Sequence, residues 1–136
     1  MYEVFEHTAD LGLRVTAPTR EQLFAEAARG LFSLIVTNLD DVRLVQTVTL
    51  EVAGADVEYL FFDWLNELLY RYETENLLLA KFEINLHPTG LDATAWGEPL
   101  DHERHQMEHE VKAITYHDLK VERHGEEWLA EVIVDI

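Results

Sequence analysis

Two aspartates at opposite ends of the sequence are the residues whose type and placement suggest chemistry. Asp10 sits in "HTADLG", a segment expected to form a loop between two strands, and Asp135 is followed at once by Ile136, whose α-carboxylate adds a second negative group. An aspartate in such a loop commonly caps a turn with its own side chain. Adjacent carboxylates, joined by a third from a loop, instead make a cluster whose repulsion is relieved by protonation or by a hard cation that takes oxygen ligands. Spacing alone leaves both readings of Asp10 open. An all-oxygen site would suit calcium, magnesium and manganese alike.

A second concentration of polar residues lies in "GEPLDHERHQMEHEVKAITYH", with His102, His105, His109 and His117 among Glu98, Asp101, Glu103, Glu108 and Glu110. On a helix, His105 and His109 would share one face and could hold zinc, but there is no HExxH motif and no cysteine to add thiolate ligands. A polar connection between two strands accounts for most of these histidines. Nucleophilic catalysis finds less support: there is no GxSxG, P-loop or Rossmann fingerprint, and the single serine, Ser33, falls within an expected helix. A glycosidase pair of carboxylates stays formally open, although 136 residues leave little room for a sugar cleft.

These residues must be positioned by short, dense elements. "YEVFEH" and "GLRVTA" alternate as strands on either side of the HTAD loop. Thr19 and Gln22 then form a capping box for a helix over Arg20 to Ile35, with a stripe of Leu23, Ala27, Leu31 and Ile35. A strand is expected near Arg43 to Ala53, and "GAD" turns it into a second helix over Val57 to Thr74. Leu60, Phe61, Trp64, Leu65, Leu68, Leu69 and Tyr72 recur there at three- and four-residue steps. "AKFEINLH" and Leu91 to Trp96 form one hairpin across "PTG"; "YHDLKVER" and "EWLAEVIVDI" form another across "HGE". Two helices, several hairpins and few possible parallel crossovers predict an α+β fold, with two main helices packed on a mainly antiparallel sheet. No repeat or linker divides the chain, so residues 1–136 are expected to form one domain.

Composition narrows the partners. With 27 acidic and 10 basic residues the net charge is -17, and the basic residues form no run. Phosphate binding draws its affinity from counterion release at clustered lysine and arginine, so no direct nucleic-acid binding is expected. An acidic surface suits a basic protein partner or divalent cations, and it also serves solubility alone. No apolar run reaches the roughly 20 residues that cross a bilayer, so no membrane association is expected. The first ten residues lack the features of a signal peptide, and with no cysteine present the location is expected to be cytoplasmic.

Taken in order, "HTADLG", "DWLNELLYRYETE" at 63–75, "GEPLDHERH" at 97–105, "EVKAITYH" at 110–117 and "WLAEVIVDI" at the end resemble the signature blocks of the archease family, from one end of the chain to the other. The resemblance implies a small α+β accessory protein of RNA ligation. Such a protein activates an RtcB-type RNA ligase by promoting guanylylation of its active-site histidine and multiple turnover in tRNA splicing and RNA repair. It implies a divalent cation held through Asp10, Asp135 and Ile136, brought together by adjacent strands. GTP would be engaged only through the ligase, and the protein would not itself be an enzyme. Lys112, Arg104 and His105, within the family blocks, are candidates for contact with the ligase or its nucleotide, while local pairing with neighbouring glutamates accounts equally well for Lys112 and Arg104. The rival readings are a small metal-dependent hydrolase built on Asp10 and Asp135, and a general chaperone or adaptor of RNA-modifying enzymes.

Overall fold

The fold is described from a computed structural model that covers residues 1–136. Its elements run β1 (Tyr2–His7), β2 (Asp10–Ala17), α1 (Arg20–Ile35), β3 (Gln46–Ala53), α2 (Val57–Glu75), β4 (Leu77–His87), β5 (Gly90–Pro99), β6 (Ala113–His124) and β7 (Glu127–Asp135), with a 3-10 turn at Leu39–Asp41. Both helices start where their caps dictate. The Thr19 hydroxyl accepts the Gln22 amide at 3.1 Å, and the Asp56 carboxylate accepts the amides of Glu58 and Tyr59 at 3.0 and 3.1 Å. α2 stops at Asn76, whose left-handed conformation at φ 51° closes the last turn through its amide on Tyr72 O.

The strands form two sheets, where one was expected, and every pairing is antiparallel: β1-β2-β7-β6 and β3-β5-β4. Both helices lie between the sheets. α1 packs on β2 and β4, α2 packs on β6 and on the three-stranded sheet, and the helices touch each other. The apolar stripes therefore face a single core of 35 buried residues. Trp64, Phe24, Phe32 and Phe61 are fully buried there, and the Trp64 indole N–H donates to Phe24 O at 3.0 Å, so its one polar atom is satisfied.

The structure adjusts several sequence expectations. Asp10 is the first residue of β2, paired with His7 across the tight Thr8–Ala9 turn, because a two-residue connection leaves no room for a longer loop. Leu44 and Val45 precede β3 and are exposed, so the strand is shorter than 43–53. β4 starts at Leu77, earlier than the alternation at 80–87, since Leu77, Leu78 and Leu79 are all buried and carry no period. The segment around His105 and His109 is irregular, so no helical face is available to pair them for zinc.

Candidate functional site

The pairing of β2 with β7 joins the two ends of the sequence. Its register runs from Ala17↔Trp128 to Leu11↔Val134, and one further step sets Asp10 opposite Asp135. Since directly opposed residues point to the same face of a sheet, His7, Asp10 and Asp135 fall in one row on the face turned away from the helices. β6 extends the row at Ala113, which pairs with Asp135, and the Lys112 amide donates to Asp135 O at 2.8 Å. Asp10, Asp135 and Ile136 are each half-buried, and the Ile136 side chain packs against the core. The strands thus hold the aspartates at one corner of the sheet.

The neighbouring rows shape that corner. Gly12 lies directly beneath the Phe5 ring, and a Cβ placed there would come within 2.1 Å of it. The Arg14 guanidinium sits 4.7 Å over the same ring and donates to Glu3 at 3.0 Å and to Glu131 at 3.1 Å. Those hydrogen bonds and charges raise the Arg14 pKa above its usual value. Both acceptors of Arg14 belong to its own row, so its charge is balanced there.

The donor chemistry fits a hard divalent cation, with two carboxylates on one row and Ile136 beside them. No three His, Asp or Glu side chains converge to ligating range, here or elsewhere in the chain. One feature of this row escaped the sequence reading. His7 Nδ1 is buried without a hydrogen-bond partner, directly opposite Asp10. The residue stands in the HTAD segment, but the face it shares with Asp135 becomes visible only through the β2–β7 register. Thr8 beside it adopts φ 51°, an uncommon conformation for a β-branched residue.

The three candidate contact residues have different surroundings. His105 is buried, with both ring nitrogens engaged: Nδ1 accepts the Asp101 amide at 2.9 Å, which places the ring proton on Nε2, 3.1 Å from Glu98 Oε2. Arg104 pairs with Glu98 Oε1 and, through Nε, with Asp101 at 3.4 Å, the local pairing considered above. Glu98 also accepts the Arg43 amide at 2.6 Å. Burial pushes the Glu98 carboxyl up, and the hydrogen bonds from Arg43, His105 and Arg104, with the Arg104 charge, outweigh it, so its pKa lies below the usual value. This network pins the irregular segment to β5, and in this structure His105 offers nothing to a partner. Lys112 is exposed and lines a cleft of about 630 Å³ with Tyr72, Glu73, Glu108, His109 and Glu110, beside the aspartate corner.

No helix is long and apolar enough to cross a membrane. The profile of the archease protein family matches residues 2–136. Relatives named protein archease include one from Methanopyrus kandleri, 43% identical over 139 residues and covering 99% of each chain, and one from Pyrococcus abyssi, 40% identical and covering 99% of this chain and 98% of its own. Among solved structures, the solution structure of a Methanobacterium thermoautotrophicum protein superposes with a TM-score of 0.89 at 31% identity, over 99% of this chain and 98% of that one. The crystal structure of a Thermotoga maritima archease, called a possible chaperone, superposes with a TM-score of 0.69 at 24% identity, over 100% and 98%, and shares the fold. With its two helices between antiparallel sheets, its second and last strands paired, and relatives matched over nearly their whole length, the chain belongs to the archease family.

Proposed function

We propose that this protein is a non-catalytic accessory factor that activates an RtcB-type RNA ligase, promoting the ligase's guanylylation and its repeated turnover in tRNA splicing and RNA repair. Family membership over the whole chain carries the reading. The name of the Thermotoga maritima relative, a possible chaperone, belongs to the same class of assisting role.

Asp10, Asp135 and Ile136 would hold a divalent cation, calcium, magnesium or manganese, on the row that β2 and β7 create. Such an ion supplies positive charge to oxygen ligands and to phosphate oxygens. The chain's own contribution is positional. The sheet fixes the two carboxylates, Gly12 and Phe5 close the adjoining row, and Lys112 presents a cation at the mouth of the neighbouring cleft. Work in the cytoplasm on a ligase, with GTP engaged only there, accords with a net charge of -17 and no basic run.

The test is RNA ligation by an RtcB-type ligase at limiting concentration, with and without this protein. Product should exceed one equivalent per ligase only when the protein is present, and Asp10→Ala or Asp135→Ala should lower the stimulation. Multiple turnover by the ligase alone, unaltered by the protein, contradicts the proposal. GTP or phosphodiester hydrolysis by the protein alone, lost in Asp10→Ala, would make it a hydrolase instead.

A further inference from the structure

β6 leaves its ladder at one place. The pairing with β7 is regular through Thr115↔Ile133 and resumes at Lys120↔Glu131, so Tyr116, His117, Asp118 and Leu119 lie opposite Val132 alone. Asp118 adopts φ 57° within this excursion. The displaced chain brings Tyr116 against α2, where its ring stacks on Tyr59 with centroids 5.1 Å apart and planes 16° from parallel, and meets Phe62 edge-on at 5.5 Å. Buried aromatic pairs are ordinary core packing, but here Tyr59 stays 58% and Tyr116 42% exposed.

The charges around this cluster are negative. Burial against its neighbours, its interaction with Tyr59, and then the charges of Glu58 and Asp56 all raise the Tyr116 pKa. Asp56 already caps the start of α2 through the Glu58 and Tyr59 amides, so those donors are not free for an incoming anion. Exposed tyrosine faces rimmed by carboxylates favour a planar cation. An arginine guanidinium stacks on aromatic rings and pairs with carboxylates at once, which a compact ammonium does less well. Tyrosines of this kind commonly anchor protein interfaces. The net charge of -17 draws basic partners and opposes phosphate-bearing ones.

We propose that Tyr59, Phe62 and Tyr116, with Asp56 and Glu58 at their rim, form a docking surface for an arginine side chain of a basic protein partner. The surface shares no residue with the Asp10–Asp135 corner, and it stands whether or not that corner holds an ion.

The probe is a capped peptide, Gly-Ser-Arg-Gly-Arg-Ser-Gly, titrated into the isotope-labelled full chain and followed by NMR, beside counterparts with lysine or neutral citrulline in place of arginine. Shifts should concentrate at residues 56–62 and 115–119, be weaker for lysine and vanish for citrulline. Loss of one exposed ring in Tyr59→Ala should weaken binding about two- to fivefold, the range of an exposed cation–π contact. Glu58→Gln should weaken it in the same direction. Tyr116→Ala is a third variant; if it fails to fold, Tyr59→Ala and Glu58→Gln decide. Shifts scattered over the acidic surface, equal binding by the citrulline peptide, or undiminished binding in both Tyr59→Ala and Glu58→Gln would overturn the proposal. Preferential binding of oligoadenylate at these residues would also overturn it, making the cluster a platform for nucleobases.

Discussion

Replacing His105 by alanine separates a structural role from a contact role. The side chain is completely buried. Its removal deletes the 3.1 Å hydrogen bond to Glu98 and leaves the Asp101 amide without its acceptor. An unsatisfied buried polar group costs about 1–3 kcal/mol, and the space left by the ring adds on the order of 1 kcal/mol. Glu98 keeps Arg43 and Arg104 as donors, which limits the loss. The expected destabilisation is therefore about 2–3 kcal/mol. At roughly 3–5 °C per kcal/mol for a chain of this size, the melting temperature should fall by roughly 6–15 °C. Thermal unfolding followed by circular dichroism measures the shift, and a ligation assay below both transitions measures function. His105→Ala should stimulate a ligase normally per folded molecule. An unchanged melting temperature combined with lost stimulation would refute the structural reasoning and return His105 to the partner surface.

Further outcomes follow from the same geometry. Because the folded-state pKa of Glu98 is lowered, its contribution to stability is present above the ordinary carboxyl value of 4.5 and is lost as pH falls through the folded value. The stability gap between the wild type and Glu98→Gln, from denaturant titrations at a series of pH values, should accordingly be widest near neutrality and narrow below pH 4.5. A gap independent of pH would show that the carboxylate charge is not what stabilises. Gly97→Ala would place a Cβ 1.8 Å from Leu78 O, against backbone that cannot swing aside, and should cost about 3 kcal/mol or more in urea unfolding. Asp10→Asn and Asp135→Asn should each weaken divalent-cation binding at least about tenfold by calorimetry, while the fold, read from circular dichroism, is retained. Undiminished affinity in both variants would place any ion elsewhere.

The helices were legible because both caps and periodicity are local. Thr19 with Gln22 marks α1, and "GAD" before Val57 marks α2, which ends one residue past the expected Thr74. Hairpins joined by short turns were equally readable. The division into two sheets was not, because it depends on β2 meeting β7 more than a hundred residues later, and no alternation within either strand names its partner. The Glu98–Arg104–His105 network was hidden for a related reason. Its residues read as a polar connection, and burial of Glu98 and His105 is apparent only once β5 and the following segment fold over each other. For the aspartate corner, the family blocks supplied Asp10, Asp135 and Ile136, whereas His7 and its unpartnered Nδ1 required the register. The Tyr59–Tyr116 stack depends on a break in the β6 ladder that "AITYHDLK" does not announce.

The most direct test of the accessory role isolates the first chemical step. An RtcB-type ligase is incubated with labelled GTP and a divalent cation, without RNA, and covalent guanylate on the ligase is followed with and without substoichiometric amounts of this protein. Faster guanylylation, a decline in stimulation as salt screens the acidic surface, and loss of stimulation in Asp10→Asn and Asp135→Asn are the expected results. A guanylylation rate that the protein leaves unchanged, or changes only when RNA is present, would contradict it.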